Sequence, residues 1–183
     1  DRSVIRHLLE ALEDGDPGVR EGALISLRAW ADNAHVPEVK PLLEDEADNV
    51  RAAAVYTLAR LGGVSALDEI RPFLKDDSPM VREQTVVAMG LFHDDRLMGD
   101  LMEAVQDRNV QVRRRAVWVL SEYDSPRAVE MIRQALRQGP SLVSGDAAMA
   151  LGRMKARAAV PDMLRLVGAN DLYVRRAVIQ ALG

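Results

Sequence analysis

The sequence has no cysteine among its 183 residues. A disulfide, a thiolate metal site and a cysteine nucleophile are therefore excluded, and a reducing location such as the cytoplasm is expected. Aromatic residues make up only 4% of a chain that is 48% hydrophobic. A core must then be built from Ala, Leu, Val, Ile and Met, which points to helices. No uncharged run approaches the roughly 18 residues of a membrane span, and no basic-then-apolar leader opens the chain, so no membrane partner is expected. Lys plus Arg is 24 against 28 for Asp plus Glu, a net charge of -4 with only 3 lysines. That balance excludes a uniformly basic nucleic-acid binder and leaves room for a local basic patch. Enzyme signatures are missing too: there is no Gly-Lys-Ser/Thr phosphate loop, HExxH, GxSxG or dinucleotide fingerprint. No catalytic residue, cofactor or metal is expected.

What the sequence does have is a period. Val19, Val50, Val81, Val112, Val143 and Val174 stand 31 positions apart, six valines without a slip. Eight residues after each lies Leu27, Leu58, Met89, Leu120, Leu151 or Leu182. Seven before each lies Leu12, Leu43, Leu74, Val105, Leu136 or Val167, and fourteen before lies Ile5, Val36, Leu67, Met98, Val129 or Val160. Register kept across a whole chain marks a repeat architecture.

Each repeat reads as two helices. The first carries one apolar stripe, as in Val129, Ile132 and Leu136; the second runs as Val112, Ala116, Val117 and Leu120. Asp16-Pro17 and Ser78-Pro79 place a capping side chain before a proline at the first helical position, with Asn109 and Asp171 at the same place elsewhere. Gly62-Gly63 and Ser125-Pro126 supply turns between repeats, and Pro41 and Pro72 are expected to bend the first helix. A helix pair cannot bury its own apolar face, so the pairs must stack. The expected fold is all-α, a right-handed α-solenoid of six 31-residue helical hairpins whose second helices line the concave side. It forms a single domain over 1–183, with repeats at about 1–31, 32–62, 63–93, 94–124, 125–155 and 156–183. The chain opens on Asp1 and stops at Gly183 directly after a helical pattern, the look of a fragment of a longer chain.

Segments such as Asp45 to Gly62, DEADNVRAAAVYTLARLG, and Ser125 to Gln138, SPRAVEMIRQALRQ, resemble HEAT repeats, most of all the short subclass first recognised in bilin lyases. The resemblance covers essentially the entire chain. It implies a solenoid, a fold that hosts scaffolds, adaptors and a few enzymes. HEAT-type deoxyhypusine hydroxylases hold iron with His-Glu pairs, whereas His7, His35 and His93 are followed here by Leu8, Val36 and Asp94. The recurring pairs Asp14/Arg20, Asp45/Arg51, Asp76/Arg82 and Asp107/Arg113 put an acid in the turn before an arginine of the first helical turn. The resemblance implies that they form a structural ladder between repeats. Repeat five departs, with Gln138 and Ser144 at the two ladder positions and Ser144-Gly145-Asp146 at the helix start, so its second helix is expected to be the least stable.

The exposed face of the second helix carries the functional expectation. At about 100° per residue, the position six after the key valine lies opposite the core face. It is occupied by Ile25, Tyr56, Val87, Trp118, Met149 and Gln180. An exposed apolar strip points to a binding surface, with side chains packing sideways between neighbouring helices as the alternative. Arg114 and Arg115 share the arc of Trp118, an arrangement able to grip acidic groups or stack on a base. The candidate partner-binding residues are Tyr56, Val87, Arg114, Arg115, Trp118 and Met149. Replacing Arg114 by Ala is expected to cost almost nothing.

Charge separates by half: residues 1–94 hold 10 basic and 18 acidic residues, and residues 95–183 hold 14 and 10. Trp30, Leu61, Phe92, Tyr123 and Met154 share the position eleven after the valine and read as core. His93-Asp94-Asp95 has ligand chemistry but falls in a turn, where acids cap the next helix. Val178 and Ile179 are expected to lie on an open end face, which permits end-to-end self-association. The leading function is a non-enzymatic scaffold that binds an extended or helical protein segment on the concave face. The alternatives are nucleic-acid binding through the basic C-terminal half and a subunit or chaperone of a lyase-type enzyme.

Overall fold

The computed structural model describes residues 2–183, which divide into two compact units, one ending at Phe92 and the other beginning at His93. The first unit contains α1 (Arg2–Glu10), α2 (Pro17–Trp30), α3 (Val36–Val39), α4 (Asp48–Gly62), α5 (Leu67–Ile70) and α6 (Pro79–Gly90). The second contains α7 (Met98–Ala104), α8 (Val110–Leu120), α9 (Pro126–Gln138), α10 (Ser141–Arg153), α11 (Val160–Leu166) and α12 (Leu172–Leu182). No strand occurs among the described residues. None of their helices is long and apolar enough to cross a membrane.

Sequence chemistry explains where these helices start and break. Asp16 caps α2, its carboxylate accepting from the amides of Gly18 and Val19 at 2.7 and 3.3 Å, with Pro17 at the first helical position. Asn109 and Asp171 cap α8 and α12 in the same way. Ser78 does not: its hydroxyl donates to Asp48 Oδ2 at 2.9 Å, and the helix start relies on Pro79. Pro41 and Pro72 lack the amide hydrogen an α-helix needs and crowd the carbonyl four residues back. The α-helical turns α3 and α5 accordingly give way to 3₁₀ segments, Lys40–Glu44 and Arg71–Lys75. No proline interrupts α9 after its first position, and it stays α-helical for 13 residues.

Within each unit the second helices pack side by side: α4 lies between α2 and α6, and α10 between α8 and α12. The periodic valines Val50, Val81, Val112, Val143 and Val174 are buried, as are Leu27, Leu58, Met89, Leu120 and Leu151 eight residues on. Val19, in the first hairpin, is 43% exposed. The position expected to plug the turns is less uniform. Tyr123 is buried against His93 and donates to the Asp94 carbonyl at 3.4 Å; burial, with Asp94 close by, pushes its hydroxyl up to about 12. Trp30 is 50% exposed, against the core expectation. Val178, expected at an open face, is fully buried, whereas Ile179 is exposed.

The aspartate–arginine pairs of the first unit form a ladder with a specific wiring. Arg20 grips the Asp45 carboxylate through Nε and Nη2, both at 2.8 Å, and Arg51 grips Asp76 through the same atoms at 3.0 and 3.1 Å. Each carboxylate thus sits 25 residues downstream, in the next hairpin. The aspartate of the same hairpin contributes its backbone instead: Nη1 of Arg20, Arg51 and Arg82 donates to the carbonyls of Asp14, Asp45 and Asp76, each at 2.8 Å. Asp45 and Asp76 also accept from the amides two residues on, Ala47 and Ser78. The Arg20 bonds hold the Asp45 carboxyl below the usual aspartate range. Burial alone would raise Asp76, but Arg51 and the Ser78 amide outweigh it and the net direction is down.

Candidate partner-binding surface

In the four second helices that have a hairpin on both sides in sequence, the position six after the valine is the one opening in a covered stretch. Ala54, Val55, Thr57 and Leu58 are buried around a half-buried Tyr56; Thr85, Val86, Ala88 and Met89 around Val87. In the second unit, Ala116, Val117, Val119 and Leu120 flank Trp118, and Ala147, Ala148, Ala150 and Leu151 flank Met149. The 3.6-residue turn explains this, since neighbours at one and two residues' distance are turned about 100° and 200° away, toward adjacent helices or the core. Ile25 and Gln180, at the same position in α2 and α12, are exposed.

Each aromatic on this line carries an arginine. The Arg28 guanidinium lies over the Tyr56 ring, 4.7 Å from its centroid, while its Nε donates to Thr57 Oγ1 at 3.0 Å. Burial pushes the Arg28 guanidinium down from its ordinary value, opposed by the nearby Tyr56. In the second unit Arg153 lies 4.2 Å over Trp118 and is anchored by a bond to Ser121 Oγ at 2.5 Å. Cation–π pairs of this kind hold the ring's orientation while leaving an edge open. Arg28 and Arg153 were not singled out from the sequence. The two arginines do not share a register position, Arg28 standing nine residues after Val19 and Arg153 ten after Val143, so no period marks them.

Two adjoining hollows border this line in the second unit. One, of about 620 Å³, is lined by Trp118, Met149, Gly152, Arg153, Lys155, Arg157 and Gln180, among others. The other, of about 600 Å³, is lined by Met149, Leu172, Tyr173, Arg176 and Gln180, with Asp171 and Ala177. Met149 and Gln180 belong to both. The walls are mixed: apolar at Trp118, Met149 and Leu172, cationic at Arg153, Lys155, Arg157 and Arg176.

Arg114 and Arg115 differ from one another. Arg115 is exposed on α8. Arg114 reaches across to α10, where its Nε bonds to Asp146, a carboxylate only 1% exposed, and this bond raises the arginine's pKa further. Tyr173 of α12 donates its hydroxyl to the other oxygen of the same carboxylate. The expectation that Arg114 is dispensable is therefore corrected: it neutralises a buried acid between three helices. The expected weakness of the fifth repeat is corrected with it. Val143 to Ala148 of α10 are buried without interruption, and a Cβ on Gly145 would lie 2.2 Å from the Tyr173 ring. The small residues there admit the tyrosine instead of loosening the helix.

In the turn with ligand chemistry, the Asp94 carboxylate accepts from the Arg96 amide at 2.9 Å and from its guanidinium, so it caps the next turn. No group of three metal-ligating side chains occurs among the described residues.

The family profile of HEAT repeats matches residues 5–89 and 67–144. Among curated proteins there is no significant sequence match. Solved structures with the same fold include the Escherichia coli protein YibA, at 18% identity and TM-score 0.72, covering 99% of this chain and 70% of that one. The complex of CpcE and CpcF of phycocyanin lyase from Nostoc sp. matches at 22% identity and TM-score 0.66, covering 97% and 75%. A designed armadillo repeat protein in complex with the peptide (KR)4 matches at 18% identity and TM-score 0.60, covering 96% and 97%. At such identities the likeness is one of fold.

Proposed function

Because this chain belongs to the HEAT-repeat family, whose stacked hairpins present extended binding surfaces, we propose that it is a non-enzymatic scaffold for an acidic protein segment. The segment lies along the second helices of the second unit, against Trp118 and Met149. The single observation that carries this reading is the pair of adjoining hollows, lined by apolar Trp118, Met149 and Leu172 and by four cations, Arg153, Lys155, Arg157 and Arg176, against one acid, Asp171. Apolar side chains of the segment fill the hollows, and its carboxylates meet the guanidinium groups. Tyr56 and Val87 offer a shorter surface of the same register on the first unit. The armadillo neighbour was solved with a basic peptide; a cationic border selects the opposite charge.

A random-peptide selection tests this. Wild-type protein is expected to enrich sequences that combine Asp or Glu with large apolar residues, and Trp118→Ala with Met149→Ala to lose them while melting as a folded protein. Enrichment of the same sequences by the double variant would sink the mechanism.

The cationic border also favours a second reading, single-stranded nucleic acid stacked on Trp118. That reading requires affinity that falls steeply with salt, since each phosphate contact releases counterions. A flat salt response, or no binding at low ionic strength, removes it. In the lyase-subunit reading, mixing with a bilin should produce new visible absorbance.

A further inference from the structure

One rung of the arginine–aspartate ladder is vacant. Arg113 of α8 stands in the register of Arg20 and Arg51, and its Nη1 donates to the Asp107 carbonyl as theirs do to Asp14 and Asp45. Twenty-five residues downstream, where Arg20 meets Asp45 and Arg51 meets Asp76, the chain has Gln138. That side chain makes no bond to the arginine: Gln138 Oε1 accepts instead from Gln134 Nε2 at 3.2 Å. The amide that would steady an aspartate there is absent as well, because the residue two further on is Pro140. Arg113 Nε is left buried without a hydrogen-bond partner.

Space accompanies the vacancy. Arg113 lines a cavity of about 370 Å³ whose walls include Met102, Val105, Met131 and Val143. No carboxylate lines it, and the polar remainder is glutamine amides and the guanidinium. Gly139 keeps the corner tight, since a Cβ there would lie 2.6 Å from the Ala135 carbonyl. The volume falls in the range of small-ligand sites, roughly 300–1,000 Å³. A buried guanidinium edge lacking its partner is costly and is satisfied best by a planar carboxylate, which accepts two parallel bonds.

We propose that this cavity binds a carboxylate on a short apolar stem, the carboxylate taking the place that aspartate holds in the other rungs and the stem lying among Met102, Met131 and Val143. The site is built from α7, α8 and α9 and the corner into α10, so it is independent of the partner-binding surface.

The test follows the methionine methyl signals of Met102 and Met131 by NMR while the intact protein is titrated with hexanoate, with N-acetyl-leucine as the mimic of a peptide C-terminus, and with hexanamide. Both carboxylates are expected to shift these signals saturably and hexanamide to bind at least about tenfold more weakly. Gln138→Asp supplies the missing rung internally, so it should weaken both carboxylates at least about tenfold and raise the melting temperature. Arg113→Lys keeps the charge but loses the fork and should weaken binding to the same degree, an independent check if Gln138→Asp perturbs folding. The tighter of the two carboxylates identifies the source, free acid or chain terminus. Absence of saturable shifts with either carboxylate, equal binding of hexanamide, or undiminished binding in both variants overturns the proposal.

Discussion

At the scale of single residues, what matters is which charges are committed. Arg114 shares the arc of Trp118 in the sequence, and nothing local there says that it is engaged, because its partner Asp146 lies 32 residues away. Asp146 reads as an irregular helix start until Tyr173 and Arg114 are seen to converge on it. Replacing Arg114 by Ala is expected to cost about 1–3 kcal/mol, since it strips a buried carboxylate of its cation. The same change at exposed Arg115 should stay within about 0.5 kcal/mol; denaturant melts of the two variants make the comparison. The partner-binding candidates were legible to different degrees. The register of Tyr56, Val87, Trp118 and Met149 follows from the turn of the helix, whereas the covering guanidinium groups of Arg28 and Arg153 come from neighbouring helices at distances no local pattern encodes.

At the scale of elements, the periodic apolar positions were readable because burial and period are the same fact in a stack of hairpins. Leu120→Ala is expected to cost about 2–4 kcal/mol, as large-to-small core changes do. Leu172→Ala, at a position 59% exposed, should cost less than about 1 kcal/mol. Equal losses in urea melts would contradict the facing of α8 and α12. What the pattern hid was the exchange of side-chain bulk between helices: α10 is small at Gly145 because α12 brings Tyr173. Gly145→Ala should therefore displace the tyrosine and destabilise by about 1–3 kcal/mol, and an altered environment of Tyr173 by near-ultraviolet circular dichroism would report it. A smaller side chain at Tyr173 is expected to recover part of that loss.

At the scale of the molecule, acid sensitivity follows from the paired aspartates. Asp45 and Asp76 of the first unit are held below the usual range by their arginines. So is Asp162 of the second, where bonds from Arg133 and Arg137 outweigh a burial that would raise it. A depressed carboxyl contributes its full stabilisation above the ordinary aspartate value of about 3.9, and that contribution is lost as pH falls through the lowered native value. Melting temperature is therefore expected to hold from neutrality to about pH 5 and to decline below about pH 4. For Asp45→Asn with Asp76→Asn, the deficit against wild type should be largest at neutral pH and shrink in acid; a constant deficit would assign those residues a role other than ion pairing.

The wiring of the ladder has a consequence for editing the chain. Arg20 and Arg51 each look back to a carbonyl of their own hairpin and forward to a carboxylate of the next, so in the first unit the bonding pattern is a sentence from which a whole clause can be struck out. Removing residues 46–76, one period of 31, leaves Arg20 with Asp45 and passes the carbonyl that served Arg51 to Arg82. Excising a single residue between Arg20 and Asp45 has no such remedy. The molecule is tolerant of change in units of its own period and intolerant of change in units of one.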